Sequence, residues 1–231
     1  MAIKQLSMEK FREEYQKKAL ITEISLQKEL SSPYTVQYYD HYMGKNYAYI
    51  ISELCDSDLK NMLFQHGDKL PENECVKVFS DVMKGFKVLI DKGYIHRDVK
   101  PENVLIKKGV HKLADFGFSV KADVHGASKI KEICGTPIYM APQQLLNQEY
   151  TAKCDIWSLG LMLYEMLFGF GPWPNKHPAA YKHYILTKPV SFPYRTNIGE
   201  NTRDFILKCL VVSEEDRISW KEVFQHPFIS S

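Results

Sequence analysis

From Glu72 onward, Val76, Phe79, Met83, Phe86 and Ile90 recur at steps of three and four residues. That is the period of a helix with one buried face, and Lys92-Gly93 ends it. Residues 9–30, rich in Glu, Lys, Gln and Leu, predict an earlier helix that Ser31-Ser32-Pro33 stops. Two aromatic and β-branched runs, 35–39 and 47–52, flank the turn residues Gly44-Lys45-Asn46 and predict two strands. Short extended pieces are expected at 104–106 and 111–114, then a polar, helix-poor stretch to about Pro142. Apolar runs at 156–167, 179–186 and 205–211 predict helices for the remainder. Strands cluster early and helices late, so the pattern implies an α+β chain. A small sheet-containing lobe should precede a larger helical one, the two meeting near Glu53–Asp58.

Composition narrows the classes. With 231 residues, 45% hydrophobic and 25% charged, the chain has the make-up of a globular domain and can bury a substantial core. Thirty basic against 28 acidic residues predict no strong attraction to nucleic acid or to anionic membranes. The five cysteines are scattered and form no C-x-x-C pair, which argues against a disulfide framework or a structural zinc and for a reducing cytosol. No apolar leader opens the chain, and the most apolar stretch, 159–173, is broken by Glu165, three glycines and Pro172. A soluble cytoplasmic domain, with the nucleus left open, is expected.

The chemistry-bearing residues are concentrated in four segments. Tyr94-Ile95-His96-Arg97-Asp98-Val99-Lys100-Pro101-Glu102-Asn103 resembles the catalytic loop of protein kinases. Asp115-Phe116-Gly117 follows twelve residues after Asn103. Gly135-Thr136-Pro137-Ile138-Tyr139-Met140-Ala141-Pro142 and Asp155-Ile156-Trp157-Ser158-Leu159-Gly160 complete the order. The resemblance to the eukaryotic protein kinases, serine/threonine type, runs from Ala2-Ile3-Lys4 to Asp216-Arg217 and His226-Pro227-Phe228. It implies a two-lobed kinase fold, with 1–53 a partial N-lobe lacking the first two strands and 54–231 the hinge and C-lobe. It also implies ATP and Mg²⁺ as cofactors and protein Ser/Thr hydroxyls as acceptors.

Alone, Asp98 or Asp115 would read as a loop residue capping a helix or turn; the motif gives each a role. By resemblance, Asp98 orients the substrate hydroxyl and takes its proton, Lys100 stands by the moving phosphoryl, and Asn103 and Asp115 ligate magnesium. Lys4 resembles the strand lysine that holds phosphates, and Glu23 its helix partner. The nineteen-residue gap between them, and the ten residues from Glu23 to Pro33, carry that assignment. Glu53 would begin the hinge after a gatekeeper Ser52, with Cys55 close to the adenine and Leu105 among the nucleotide contacts. His96 is expected to pack under Phe116, and the other seven histidines show no ligand spacing. Asp58 and Glu102 match acidic positions that face basic residues ahead of the acceptor, although Asp58 reads equally well as a helix cap. Glu132 stands two residues before Cys134, where related kinases carry a phosphorylatable threonine. It is expected to hold Arg97 bidentately, unless Lys129 or Lys131 neutralises it. Thr136 is expected to bond Asp98 and Lys100. Cys134-Gly135-Thr136-Pro137 resembles calcium/calmodulin-dependent or autophagy-initiating kinases.

Three departures stand out. No G-x-G-x-x-G occurs anywhere, and Lys4 lies three residues after Met1. A truncated gene model, a fragment and a divergent paralogue are all compatible, the intact motifs favouring recent loss over long disuse. Weak MgATP binding and poor turnover are the corresponding expectation, and a catalytically silent pseudokinase scaffold is the alternative reading. Gln143 replaces the usual glutamate after Ala141-Pro142, so Arg217 should have a neutral partner. Gln27 takes a position that is commonly apolar; glutamine there resembles the Aurora kinases, which are active.

Overall fold

The computed structural model describes residues 1–10, 14–125, 128–174 and 177–230. Strand β1 (Ala2–Ser7) leads through a short 3₁₀ turn, Met8–Lys10, toward helix α1 (Glu14–Glu29). The helix expected at 9–30 is therefore realised from Glu14, and 11–13 lie outside the described residues. Strands β2 (Tyr38–Met43) and β3 (Tyr47–Ser52) follow, and the antiparallel sheet runs β1-β3-β2. Leu20 and Ile24 of α1 pack on Ala48 and Ile50 of β3 to make a small core.

The strand expected at 35–39 is displaced to β2. Tight connection through 44–46 forces the residues next to the turn to pair, so Met43 faces Ala48 and Tyr42 faces Tyr49 whatever their polarity. Residues 34–36 turn instead to a different partner. Val36 N–H donates to Leu113 O and Leu113 N–H to Tyr34 O, both at 2.9 Å.

The second, larger core is helical. A short strand β4 (Ser57–Asp58) passes into α2 (Leu59–Gln65), then comes the long α3 (Glu72–Asp91). Its apolar stripe is buried as the periodicity predicts, with Phe79 meeting Phe205 and Phe228 edge-on. Next are β5 (Tyr94–Ile95), β6 (Val104–Lys107), β7 (Val110–Leu113) and β8 (Val120–Lys121). They form the sheets β4-β6-β7 and β5-β8. Neither β8 nor α2 carries enough periodicity to be predicted as an element. Then come α4 (Pro142–Leu145), α5 (Lys153–Phe168), α6 (Pro178–Thr187), α7 (Glu200–Cys209), α8 (Trp220–Gln225) and α9 (Pro227–Ser230). Helix α5 is buried almost all round, which explains its unbroken apolar run and makes it the axis of the helical part. Among the described residues no helix is long and apolar enough to cross a membrane.

Candidate active site

The loop 96–103 expected to be catalytic lies between β5 and β6 and is pinned by α5. Asp155, in the first turn of α5 and fully buried, accepts from the backbone N–H groups of His96 and Arg97 at 2.7 and 2.8 Å. Burial raises its carboxyl, opposed by His96 and these backbone bonds. The grip helps hold Arg97 at φ +69°, a left-handed conformation costly for a residue other than glycine. His96 packs on Phe116 with ring centroids 5.4 Å apart, and its Nε2 bonds Ala114 O at 3.0 Å.

Asp98 is the most heavily contacted carboxylate at the site. Its Oδ1 accepts from the Thr136 hydroxyl at 2.7 Å, and its Oδ2 from Asn103 Nδ2 at 2.9 Å and Lys100 Nζ at 2.8 Å. Lys100 also donates to Thr136 Oγ1 at 2.8 Å. Burial opposes ionisation of Asp98, but the bonds from Lys100, Thr136 and Asn103 outweigh it and hold the carboxyl below its ordinary value. The group is an ionised acceptor at neutral pH.

Across the cleft, Lys4 of β1 reaches Glu23 Oε1 at 2.8 Å and Asp115 Oδ1 at 2.7 Å. Gln27, one helical turn after Glu23, donates to the same Glu23 oxygen at 3.2 Å. Burial raises the Glu23 carboxyl, with Lys4 opposing it. Asp115 adopts φ +57°; burial opposes its ionisation and Lys4 overcomes that, lowering the carboxyl. A cavity of about 280 Å³ opens between these groups, lined by Lys4, Glu23, Val36, Leu105, Asn103 and Asp115 among others.

The chain matches the protein kinase domain family over residues 1–229. It belongs to the protein kinase family. A protein of Acanthamoeba polyphaga mimivirus, named as a putative serine/threonine-protein kinase, is 29% identical over 229 residues; the match covers 88% of this chain and 51% of the viral one. The kinase domain thus spans about half the length of that relative.

Not every expected site residue of the kinase domain reaches the cavity. Glu53 and Cys55 are absent from its lining. The Glu53 carboxylate accepts from Lys112 Nζ and Gln37 N, both at 2.7 Å, which ties the chain just after β3 to β7. Asp58 caps α2 by accepting from Asn61 N–H at 2.8 Å. Glu102, by contrast, is exposed beside Asn103 and does line the cavity.

Glu132 does meet Arg97, through Oε2 and Nη1 at 3.0 Å. The contact is single and not the bidentate one expected, because Arg97 spends Nε on Phe118 O and bonds the Tyr150 hydroxyl from Nη1 as well. Lys129 and Lys131 pair with Glu149 instead of Glu132. Gly135 keeps this segment on the catalytic loop: at φ +107° a Cβ there would lie 2.4 Å from Arg97 O.

Sequence reasoning left Asp155, Lys112, Tyr150 and Glu165 out of the site. Asp155 stood in a quoted motif, and Glu165 was the lone acid interrupting an apolar run, a signal for a paired or functional charge.

Proposed function

We propose that this kinase domain transfers the γ-phosphoryl of MgATP to a serine or threonine hydroxyl of a protein, with the inter-lobe boundary at residues 53/54. The observation that carries the reading is the Asp98–Lys100–Thr136 cluster, an ionised acceptor and a cation converging on one hydroxyl position.

Members of the family use ATP and magnesium, and the donor set here fits both. Asn103 commits its amide nitrogen to Asp98 and Asp115 commits Oδ1 to Lys4, so one amide and one carboxylate oxygen remain for a hard cation. Magnesium-bound ATP supplies the transferable phosphoryl. Lys4 holds phosphate oxygens, oriented by Glu23 and Gln27. Asp98 orients the acceptor hydroxyl and takes its proton; Lys100 offsets the charge that develops beside it. Glu132 partly replaces a phosphate in ordering the activation segment, since its carboxylate occupies Arg97 without modification. Glu102, exposed at the mouth of the loop, favours basic residues ahead of the acceptor.

The test is phosphoryl transfer from γ-labelled ATP to a basic Ser/Thr peptide, with Asp98→Asn as control. Transfer by the unaltered chain and at least a hundredfold less by the variant supports the reading; equal labelling by both refutes it.

A further inference from the structure

The second feature of the cleft lies on the far side of Thr136. A cavity of about 540 Å³ is lined by Lys60, Tyr139, Glu165, Phe170, Pro172 and Trp173, with a few neighbours. Its floor is acidic. Glu165 projects from the last turn of α5, and its side chain is 16% exposed. One carboxylate oxygen is held by the Tyr139 hydroxyl. The other receives Lys60 Nζ at 2.9 Å, from the second residue of α2. Lys60 is 46% exposed, so the ammonium closes over Glu165 from the solvent side.

The position relative to the chemistry is fixed by covalent connection. Thr136 donates to Asp98, and the short turn Pro137–Tyr139 that follows supplies the cavity's wall. An extended peptide with its hydroxyl at Asp98 carries its side chains outward at about 3.3 Å per residue. Residues two or three places from the acceptor therefore pass roughly 7–10 Å away, within reach of this cavity. The apolar walls suit the stem of a long side chain, and the carboxylate suits a cationic end. Yet that carboxylate already has a cation, supplied by the chain itself.

We propose that Lys60 is a specificity-determining residue of the peptide cleft, its ammonium occupying in cis the acidic subsite that Glu165 offers. The subsite then accepts an uncharged side chain, and removal of the Lys60 charge opens it to arginine. This rests on the reading of the chain as a protein kinase and refines its substrate class: Lys60 is held by Glu165 and lies in the field of Glu102 as well, so the Glu165 site is withheld from basic side chains and the attraction of Glu102 is weakened. Specificity of this kind is achieved by blocking a competitor as much as by attracting a partner.

The experiment uses the full chain and two readouts. Positional-scanning peptides are phosphorylated by the unaltered protein, Lys60→Met, Glu165→Gln and the double variant. In parallel, fluorescence anisotropy without nucleotide measures affinity for paired peptides with arginine or alanine at each position near the acceptor. Lys60→Met should raise the arginine-over-alanine ratio about five- to twentyfold at one position, in both readouts. The double variant should return it to the unaltered value. An unchanged ratio in Lys60→Met overturns the proposal, and so does a gain that survives in the double variant. If no peptide is phosphorylated but the anisotropy ratio shifts as stated, the kinase reading fails and the subsite stands. If labelling is normal and neither ratio moves, the subsite fails and the kinase reading stands.

Discussion

Arg217 is a buried cation in no ion pair among the described residues, although the charge of Glu214 acts on it from farther away. Its side chain is 1% exposed and donates to Val211 O and Lys153 O at 3.0 Å, to Gln143 Oε1 at 3.0 Å and to Val212 O at 3.3 Å. The guanidinium also lies 5.1 Å from the Trp157 ring. Burial pushes its pKa down to about 10. Four neutral acceptors thus do what a carboxylate would do, and Gln143 contributes one while donating to Val212 O at 2.8 Å.

Gln143→Glu places an opposite charge at hydrogen-bond distance, worth about 4 kcal/mol at 4 Å and an effective dielectric of 20. Against this stand the desolvation of the half-buried carboxylate and the loss of the bond to Val212 O, together about 2–3 kcal/mol. The expected net is a stabilisation of about 1–2 kcal/mol, or a Tm rise of about 3–6 °C for a chain of this size. Gln143→Leu removes both bonds and should lower Tm by about 5–10 °C. Thermal unfolding followed by circular dichroism decides between them. The introduced carboxylate has a folded pKa below its unfolded value of about 4.3. Its benefit is therefore full above that pH and lost as pH falls through the folded value. A lower Tm for Gln143→Glu at pH 7, or a gain that persists unchanged at pH 3, would refute the account of Arg217.

Lys4→Met breaks both ion pairs of a partly exposed lysine, so kcat/KM should fall about 10²–10³-fold while Tm moves little; a fall below tenfold in steady-state assays contradicts the assignment. Glu132→Gln should cut activity about two- to fivefold and speed proteolysis of the activation segment, a modest effect because Glu132 is 62% exposed. Unchanged activity and unchanged cleavage exclude the pairing role. Asp98 has a lowered folded pKa, so its stabilising contribution is present above the unfolded value of about 3.9 and disappears as pH falls through the folded one. Asp98→Asn should accordingly melt below the unaltered chain at pH 7, the gap narrowing as pH falls below about 3.9, which pH-dependent melting curves will read. Gly135→Ala forces a Cβ into Arg97 O and should abolish activity with a Tm loss of several degrees; retention of half the activity would show that the segment can shift.

What the sequence determined by itself was whatever depends on near neighbours. The stripe of α3 repeats every turn, so its buried face was readable from spacing alone. Asp98, Lys100 and Asn103 sit within six residues, and a loop that short brings them together wherever the rest of the chain goes. Lys4, Glu23 and Asp115 were named from motif spacing, but their meeting at one ammonium needed β1, α1 and the segment after β7 packed in place. Other features were invisible locally because their partners are distant along the chain. Strand β2 slid away from 35–39 because those residues found Leu113, more than seventy positions later. That Lys112 would draw the Glu53 carboxylate toward β7 could not be read locally, because the two lie 59 positions apart. Asp58 chose the nearest unsatisfied helix N–H, which a short-range reading could anticipate but not decide. Glu165 and Lys60 lie 105 residues apart, and only the packing of α2 over α5 makes them one pair. Burial and partner charge, which set how each carboxylate behaves, are properties of that packing and have no signature in local spacing.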